Sequence, residues 1–258
     1  MKAVILAGGY GSRLGEELTV RPKPMVEIGG YPILWHIMKI YSAHGVNDFI
    51  ICCGFQGHII KQYFSDYYLH ACDLRFDLSK NRMEILGQHV EPWTVTLVDT
   101  GIDSGTGGRL KRVRDLIGEE TFCFTYGDVL SDVNVSEVIR SHRENEALVT
   151  LTAVQPPARF GALELNESGD RIHRFQEKRD GMEVWVNGGF FVIEPAAIDY
   201  ISGEEEMWEA APLEQLAQDK RISVYRHGGF WRCVDHLSDK MHLESLWQSG
   251  SPPWNVWE

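Results

Sequence analysis

The stretch KAVILAGGYGSRL, running from Lys2 to Leu14, decides how the rest of the chain is read. Residues 2–7 form a short run that is apolar after its first residue and stops at Gly8 and Gly9. A short apolar run without alternation, bounded by glycine, reads as a strand buried on both faces, as in a parallel sheet. The glycines that follow lack Cβ atoms, so backbone N–H groups can approach an anion closely. Arg13 adds a planar fork suited to phosphate oxygens. The loop is not a dinucleotide-binding fingerprint, because the third glycine of G-x-G-x-x-G is absent and Arg13 sits inside the loop. No GK[ST] follows, which excludes the Walker pattern. By itself, a glycine loop describes an ordinary tight turn equally well.

Outward from this loop the pattern repeats. Residues 32–44 carry apolar side chains at 33, 34, 37, 38, 40 and 41, with Pro32 at the start and Gly45 at the end, and predict a helix. DFIICC at 48–53 is a second buried strand, and 57–64 a short helix. Strand, helix, strand in this order predicts a right-handed crossover and a mostly parallel sheet. The alternation returns as a strand at 94–98, a basic helix at 108–116, a strand at 121–126, a helix at 135–145 and a strand at 147–154. After Pro156 and Pro157, short alternating segments at 162–165, 171–176 and 187–193 predict antiparallel strands beside the main sheet. A helix from Leu237 precedes the aromatic end PPWNVWE. Residues 65–93 fit no period and read as an insertion, at a site rim or a subunit contact. The expected fold is α/β: a Rossmann-like, mostly parallel mixed sheet flanked by helices, with a small antiparallel part. The 258 residues suit one domain, with halves at about 1–155 and 156–258.

Composition narrows the partners. A net charge of -12 disfavours nucleic acid and anionic membranes, whose phosphates would be repelled. No stretch approaches the roughly 20 apolar residues that span a bilayer, and the first apolar run is too short for a signal-peptide core. The five cysteines form no C-x-x-C pair, and the ten histidines no paired-ligand spacing, so zinc is not expected. Reduced thiols in the cytoplasm are the expectation.

Four further motifs carry chemistry. Lys23 lies between Pro22 and Pro24 on a stiff segment, which suits a cation that must be positioned. Asp128 ends the apolar run FCFTYGD, and Asp235 ends FWRCVD. Ligands of open α/β sheets bind beyond the carboxyl ends of strands, and aspartates there suit Mg²⁺. Alone, each aspartate equally describes a turn or a helix cap. Residues 104–112, SGTGGRLKR, join glycines to a basic helix start. Glu177-Lys178 and Asn187-Gly188-Gly189 offer charged, amide and backbone groups to a polyol, although Asn-Gly is also a turn signal.

LAGGYGSRL, RPKPMVEIGG, TGGRLKR, YGD, EK and NGGFF, in this order, resemble the sugar-phosphate nucleotidyltransferases. ILWHIM, FIICCGF, RMEILGQHVEPWTVTLVDTG, RFGAL, FQEK and GFW are similar to the glucose-1-phosphate cytidylyltransferases within that family, over nearly the whole chain. The resemblance implies a Mg²⁺-dependent reaction of CTP with α-D-glucose 1-phosphate, giving CDP-glucose and pyrophosphate for dideoxysugar and surface polysaccharide synthesis. It implies a homo-oligomer and a sugar-binding second half. Leu6, Ala7, Gly8, Gly9, Gly11, Ser12 and Arg13 would hold the nucleotide, helped by Ser104 and Arg109. Lys23 would touch the reacting phosphate, and Arg13, Lys23 and Asp128 would carry catalysis. Asp128 and Asp235 would bind the metal. Gly161, Glu177, Lys178, Asn187 and Gly188 would hold the sugar phosphate. The chain departs from the family pattern at Val129, Arg179, His236 and Ser238. Two other readings fit the same residues: a cytidylyltransferase for another sugar 1-phosphate, and a catalytically silent binding subunit.

Overall fold

A computed structural model describes residues 1–10, 21–87, 90–156, 162–165, 172–176 and 184–257. The chain opens on β1 (Lys2–Ala7). The small hairpin strands β2 (Glu27–Ile28) and β3 (Tyr31–Pro32) lead into α1 (Ile33–Ala43). β4 (Asp48–Cys53) is followed by α2 (Gly57–Ser65), α3 (Tyr67–Ala71), the hairpin of β5 (Leu74–Asp77) and β6 (Arg82–Ile85), and β7 (Thr94–Asp99). Next come α4 (Thr106–Arg112), α5 (Arg114–Ile117), β8 (Phe122–Tyr126), β9 (Val129–Ser131), α6 (Val135–Asn145) and β10 (Val149–Val154). The remainder supplies β11 (Ala162–Leu165), β12 (Ile172–Gln176), β13 (Val186–Ile193), α7 (Ala211–Gln218), β14 (Ile222–His227), β15 (Trp231–Cys233) and α8 (Leu237–Gln248).

Seven strands form the central sheet in the order β14-β10-β13-β8-β1-β4-β7. β1 pairs in parallel with both β4 and β8, so the chain leaves it first to one side and later to the other. That reversal of direction opens a crevice at the carboxyl end of β1, where the glycine loop begins. β1 is buried on both faces, as its unbroken apolar run requires. Ala3, Ile5 and Ala7 pack with Ile33, Ile37 and Phe49 on one side. Val4 and Leu6 pack with Leu110, Phe124 and Trp208 on the other. The aromatic end folds back on α1. Trp247, Trp254 and Trp257 surround the buried His36 ring at centroid distances of 5.0, 6.1 and 6.1 Å.

Two expectations change. β13 lies inside the main sheet, antiparallel to β8 and β10. Its continuous burial from Gly188 to Ile193 marks a strand covered on both faces, and of the three expected antiparallel segments β11 and β12 alone stand apart, as a small ribbon. The basic helix is two helices. A tight Val113 N–H to Leu110 C=O bond of 3.3 Å separates them while Leu110, Val113 and Ile117 keep one buried face. Residues 65–93 include the β5–β6 hairpin, which exposes Phe76, Leu78 and Met83.

The glycines of α4 serve contact with the segment before α7. A Cβ on Gly108 would lie 1.8 Å from the Glu204 carbonyl oxygen, and one on Gly105 2.3 Å from that of Glu206. Gly105 and Gly108 donate N–H bonds to Glu204 and Glu206. Gly108→Ala is therefore expected to destabilise the fold by about 1–3 kcal/mol, the usual cost of overpacking. Urea unfolding measures it, and an unchanged midpoint would contradict the close approach.

Candidate active site

The loops leaving the carboxyl ends of β1, β4 and β7 are tied together by one side chain. Arg109 in α4 is buried, and its guanidinium donates to Gly8 C=O (3.0 Å), Cys53 C=O (3.3 Å), Gly101 C=O (2.7 Å), Ile102 C=O (2.9 Å) and Thr100 Oγ1 (2.9 Å). Five donors in a rigid fork suit this task as no lysine can. Gly8 and Gly54 are the glycines it requires: a Cβ would lie 2.1 Å from the guanidinium at Gly8 and 2.5 Å at Gly54. Burial lowers the Arg109 pKa. Ser104 donates to the Thr100 carbonyl at 2.5 Å. Arg109 and Ser104, expected among the nucleotide contacts, thus hold the loops that surround the cleft. The other cations of this basic segment are also engaged, Lys111 with the Ile201 carbonyl and Arg112 with Glu204.

A second wall brings the two aspartates together. β9 and β15 pair antiparallel with Val129 opposite Cys233, and Val234 N–H donates to Asp128 C=O at 2.9 Å. Two aspartates more than a hundred residues apart thereby face one point. Lys23 stands between them, its Nζ 2.5 Å from Asp128 Oδ2 and 2.8 Å from Asp235 Oδ1. Gly127 makes room for this approach, since a Cβ there would lie 2.8 Å from Pro24 Cγ and 2.5 Å from Leu6 C=O. Lys23 opens a 3-10 turn, Lys23–Met25, behind an extended Pro22. Burial opposes the Lys23 charge, but the fields of Asp128 and Cys233 and the hydrogen bonds to Asp128 and Asp235 together outweigh it and raise the pKa. The Cys233 thiol completes the cluster, with ligand atoms of Asp128, Cys233 and Asp235 within 4.8 Å of one another. Burial, then the Asp128 carboxylate, push that thiol's pKa up.

A third wall carries Asn187 and Gly188. The sequence here is a bulged strand and not a tight turn: Gly189 has φ +81°, and the β10–β13 register shifts opposite it. Asn187 Oδ1 accepts from Gly189 N–H at 2.9 Å, and its Nδ2 donates to Tyr126 Oη at 3.1 Å. Tyr126 in turn donates to Glu209, which also accepts from Thr106 Oγ1 at 2.5 Å. Trp231 Nε1 donates to Gly188 C=O at 2.8 Å.

These walls enclose a cleft of about 790 Å³ at the carboxyl end of the sheet. Leu6, Ala7, Gly8, Gly9, Lys23, Ser104, Arg109, Asp128, Asn187, Gly188 and Asp235 all line it, as one site. Gly11, Ser12, Arg13, Gly161, Glu177, Lys178 and Arg179 lie outside the described residues. Sequence reasoning missed Cys233, Tyr126 and Glu209. Cys233 was legible within the run FWRCVD, two residues before Asp235; Glu209 carried no local signal. Val129 needs no positive φ, because it is a buried strand residue of β9. His236 caps α8, its N–H and that of Asp235 held by Asp239 Oδ2 at 2.9 and 3.1 Å. Among the described lining residues Lys23 and Arg109 face four carboxylates, those of Asp103, Asp128, Glu205 and Asp235. This part of the cleft is acidic.

Residues 2–234 match the family described as nucleotidyl transferase. The chain is 53% identical over 259 residues to glucose-1-phosphate cytidylyltransferase of Salmonella typhimurium, covering 100% of both chains. Its fold is similar to that of HddC from Yersinia pseudotuberculosis, with a TM-score of 0.69 at 20% identity over 95% of this chain and 99% of the other. It is also similar to a UDP-glucose pyrophosphorylase solved with UDP-glucose, with a TM-score of 0.69 at 17% identity over 96% and 98% of the two chains.

Arg109→Met is expected to destabilise the protein by several kcal/mol, on the order of 1 kcal/mol for each hydrogen bond lost. Arg109→Lys should rescue little, because an ammonium cannot serve five acceptors in a plane. Denaturant unfolding of the two variants checks both statements.

Proposed function

This chain belongs to the nucleotidyl transferase family, and from that premise we propose that it joins CTP to α-D-glucose 1-phosphate, releasing CDP-glucose and pyrophosphate. The full-length likeness to a glucose-1-phosphate cytidylyltransferase carries the choice of substrates. We assign the product to dideoxysugar synthesis for surface polysaccharide, and the enzyme to the cytoplasm as a homo-oligomer.

The chemistry follows from charge. A phosphate oxygen of glucose 1-phosphate attacks the α-phosphorus of CTP, and the bond to the β-phosphate's bridging oxygen breaks as pyrophosphate leaves. The attacking oxygen is already an anion, so no strong general base is required. The barrier is the approach of a dianion to a triphosphate, and the protein's task is alignment and charge compensation. In this reading Leu6, Ala7, Gly8, Gly9, Gly11 and Ser12 form the nucleotide wall, with backbone N–H groups for phosphate oxygens. Arg13 and Lys23 compensate the triphosphate, and Lys178 the sugar phosphate. Gly161, Glu177, Asn187 and Gly188 receive the sugar.

Asp128 and Asp235 suit Mg²⁺, which prefers hard oxygen donors and takes only one or two carboxylates. Bound there, Mg²⁺ supplies positive charge and orients phosphate oxygens. The acidic balance of the described lining favours this assignment, since two carboxylates beside a triphosphate need a divalent counter-charge.

The purified protein, given Mg²⁺, glucose 1-phosphate and one triphosphate at a time from CTP, UTP, dTTP, ATP and GTP, is expected to release pyrophosphate with CTP alone. Release with another triphosphate overturns the base assignment, and silence with all five overturns the reaction. Lys23→Ala should lower turnover by about 100-fold or more, the scale of a lost preorganised charge, while circular dichroism shows an unchanged fold.

A further inference from the structure

The position of Lys23 has a consequence beyond its proposed contact with phosphate. Its ammonium bridges the two carboxylates assigned to the metal, 2.5 Å from Asp128 and 2.8 Å from Asp235. All three side chains are largely shielded, with exposures of 14%, 23% and 22%. A divalent ion held by the same oxygens needs metal–oxygen distances of about 2.0–2.1 Å. An ammonium and a divalent ion cannot both sit between two oxygens already spanned by one of them.

We propose that Lys23 and the divalent ion are alternative occupants of one cation position, so that metal binding expels Lys23 from Asp128 and Asp235 into the cleft. The inference rests on the reading of these aspartates as the metal site. The backbone is built to leave the side chain as the moving part. Pro22 and Pro24 fix φ on either side of Lys23, and Gly127 lets Pro24 pack against the end of β1. The backbones that carry the carboxylates are tied as well. Asp128 is tied through the β9–β15 pairing, and Asp235 through its N–H bond to Asp239, which Arg232 holds at 3.1 Å. Lys23 already lines the cleft, so a side chain leaving the carboxylates enters the space assigned to the phosphates.

Two properties follow. Without metal, Lys23 neutralises the aspartates and is withheld from anions. With metal, the cleft gains the ion's charge and recovers the lysine's, both at once. Lys23 is then a competitor for the metal as well as a partner of the substrate, and its removal must strengthen metal binding while weakening turnover. A lysine that stood clear of these carboxylates and acted on phosphate alone would leave nucleotide-free metal affinity unchanged.

The test uses the full chain without nucleotide and Mn²⁺ as the probe, with bound ion read from the loss of the free-ion paramagnetic resonance signal. Lys23→Met is expected to bind Mn²⁺ about tenfold or more tightly than the wild type, the scale of an ordinary coupling between sites. Mn²⁺ should also raise the melting temperature of Lys23→Met more than that of the wild type, because it replaces the lost cation. Adding Asp128→Asn to Lys23→Met should abolish the gain. If Lys23→Met does not fold, Lys23→Gln, which can still hydrogen-bond to the carboxylates, carries the same comparison. Equal Mn²⁺ affinity in wild type and the neutral variant overturns the proposal, as does a gain that survives Asp128→Asn. Because no nucleotide or sugar is present, failure of the proposed reaction leaves this measurement intact, and its failure leaves the reaction standing.

Discussion

Five hydrogen bonds from one guanidinium set the shape of the cleft. Parallel strands end with carbonyl groups and loops that the sheet itself does not pair, and three neighbouring strands, β4, β1 and β7, end together here. Arg109 gathers four of those carbonyls and one hydroxyl into a single planar arrangement. The Gly8 and Cys53 carbonyls also accept from the Phe55 and Thr100 N–H groups, and the arginine completes the pairing of these buried carbonyls, which are costly without partners. Gly8 and Gly54 are consequences of that constraint: the space a side chain would need is filled by the guanidinium. A glycine loop usually read as making way for a ligand makes way first for the protein's own cation.

The opposite wall is governed by register. Asp128 follows β8 and Asp235 follows β15, and only the short β9–β15 ladder brings them together. The same ladder sets Cys233 and the buried Val129 side by side at the cleft. Trp231 joins this wall to Gly188, and a hydrogen-bonded chain from Asn187 through Tyr126 and Glu209 to Thr106 connects that third wall to the start of α4, the helix that carries Arg109. The cleft is therefore one connected polar structure, set at the sheet's point of reversal.

Most of the architecture was legible because the strands are short, continuous apolar runs and the helices carry clear periodicity; β1, β4, α1 and α6 needed little else. β13 was misplaced because 187–193 was read as an alternating edge segment, whereas the strand is buried on both faces from Gly188 to Ile193, and Asn187-Gly188-Gly189 looks like the end of a hairpin. Among the site residues, Asp128, after a glycine at a strand end, and Lys23, between two prolines, were legible as cleft candidates. The work of Arg109 was not, because a basic residue after glycines looks the same whether it faces a ligand or the backbone. Glu209 depends wholly on long-range folding and has no local pattern at all.

The sheet order also constrains how the chain is assembled as it is made. β10 precedes β13 in sequence, yet within the central sheet β10 and β14 reach β8 only through β13. Until Val186–Ile193 is in place, β8 has a bare edge on that side and β10 has nothing to join. Such an edge is a template for pairing with other chains, and non-local strand insertion is slow. A ribosome must therefore pass residue 193 before the first hundred and fifty residues can close their sheet, and a product truncated earlier carries an adhesive edge.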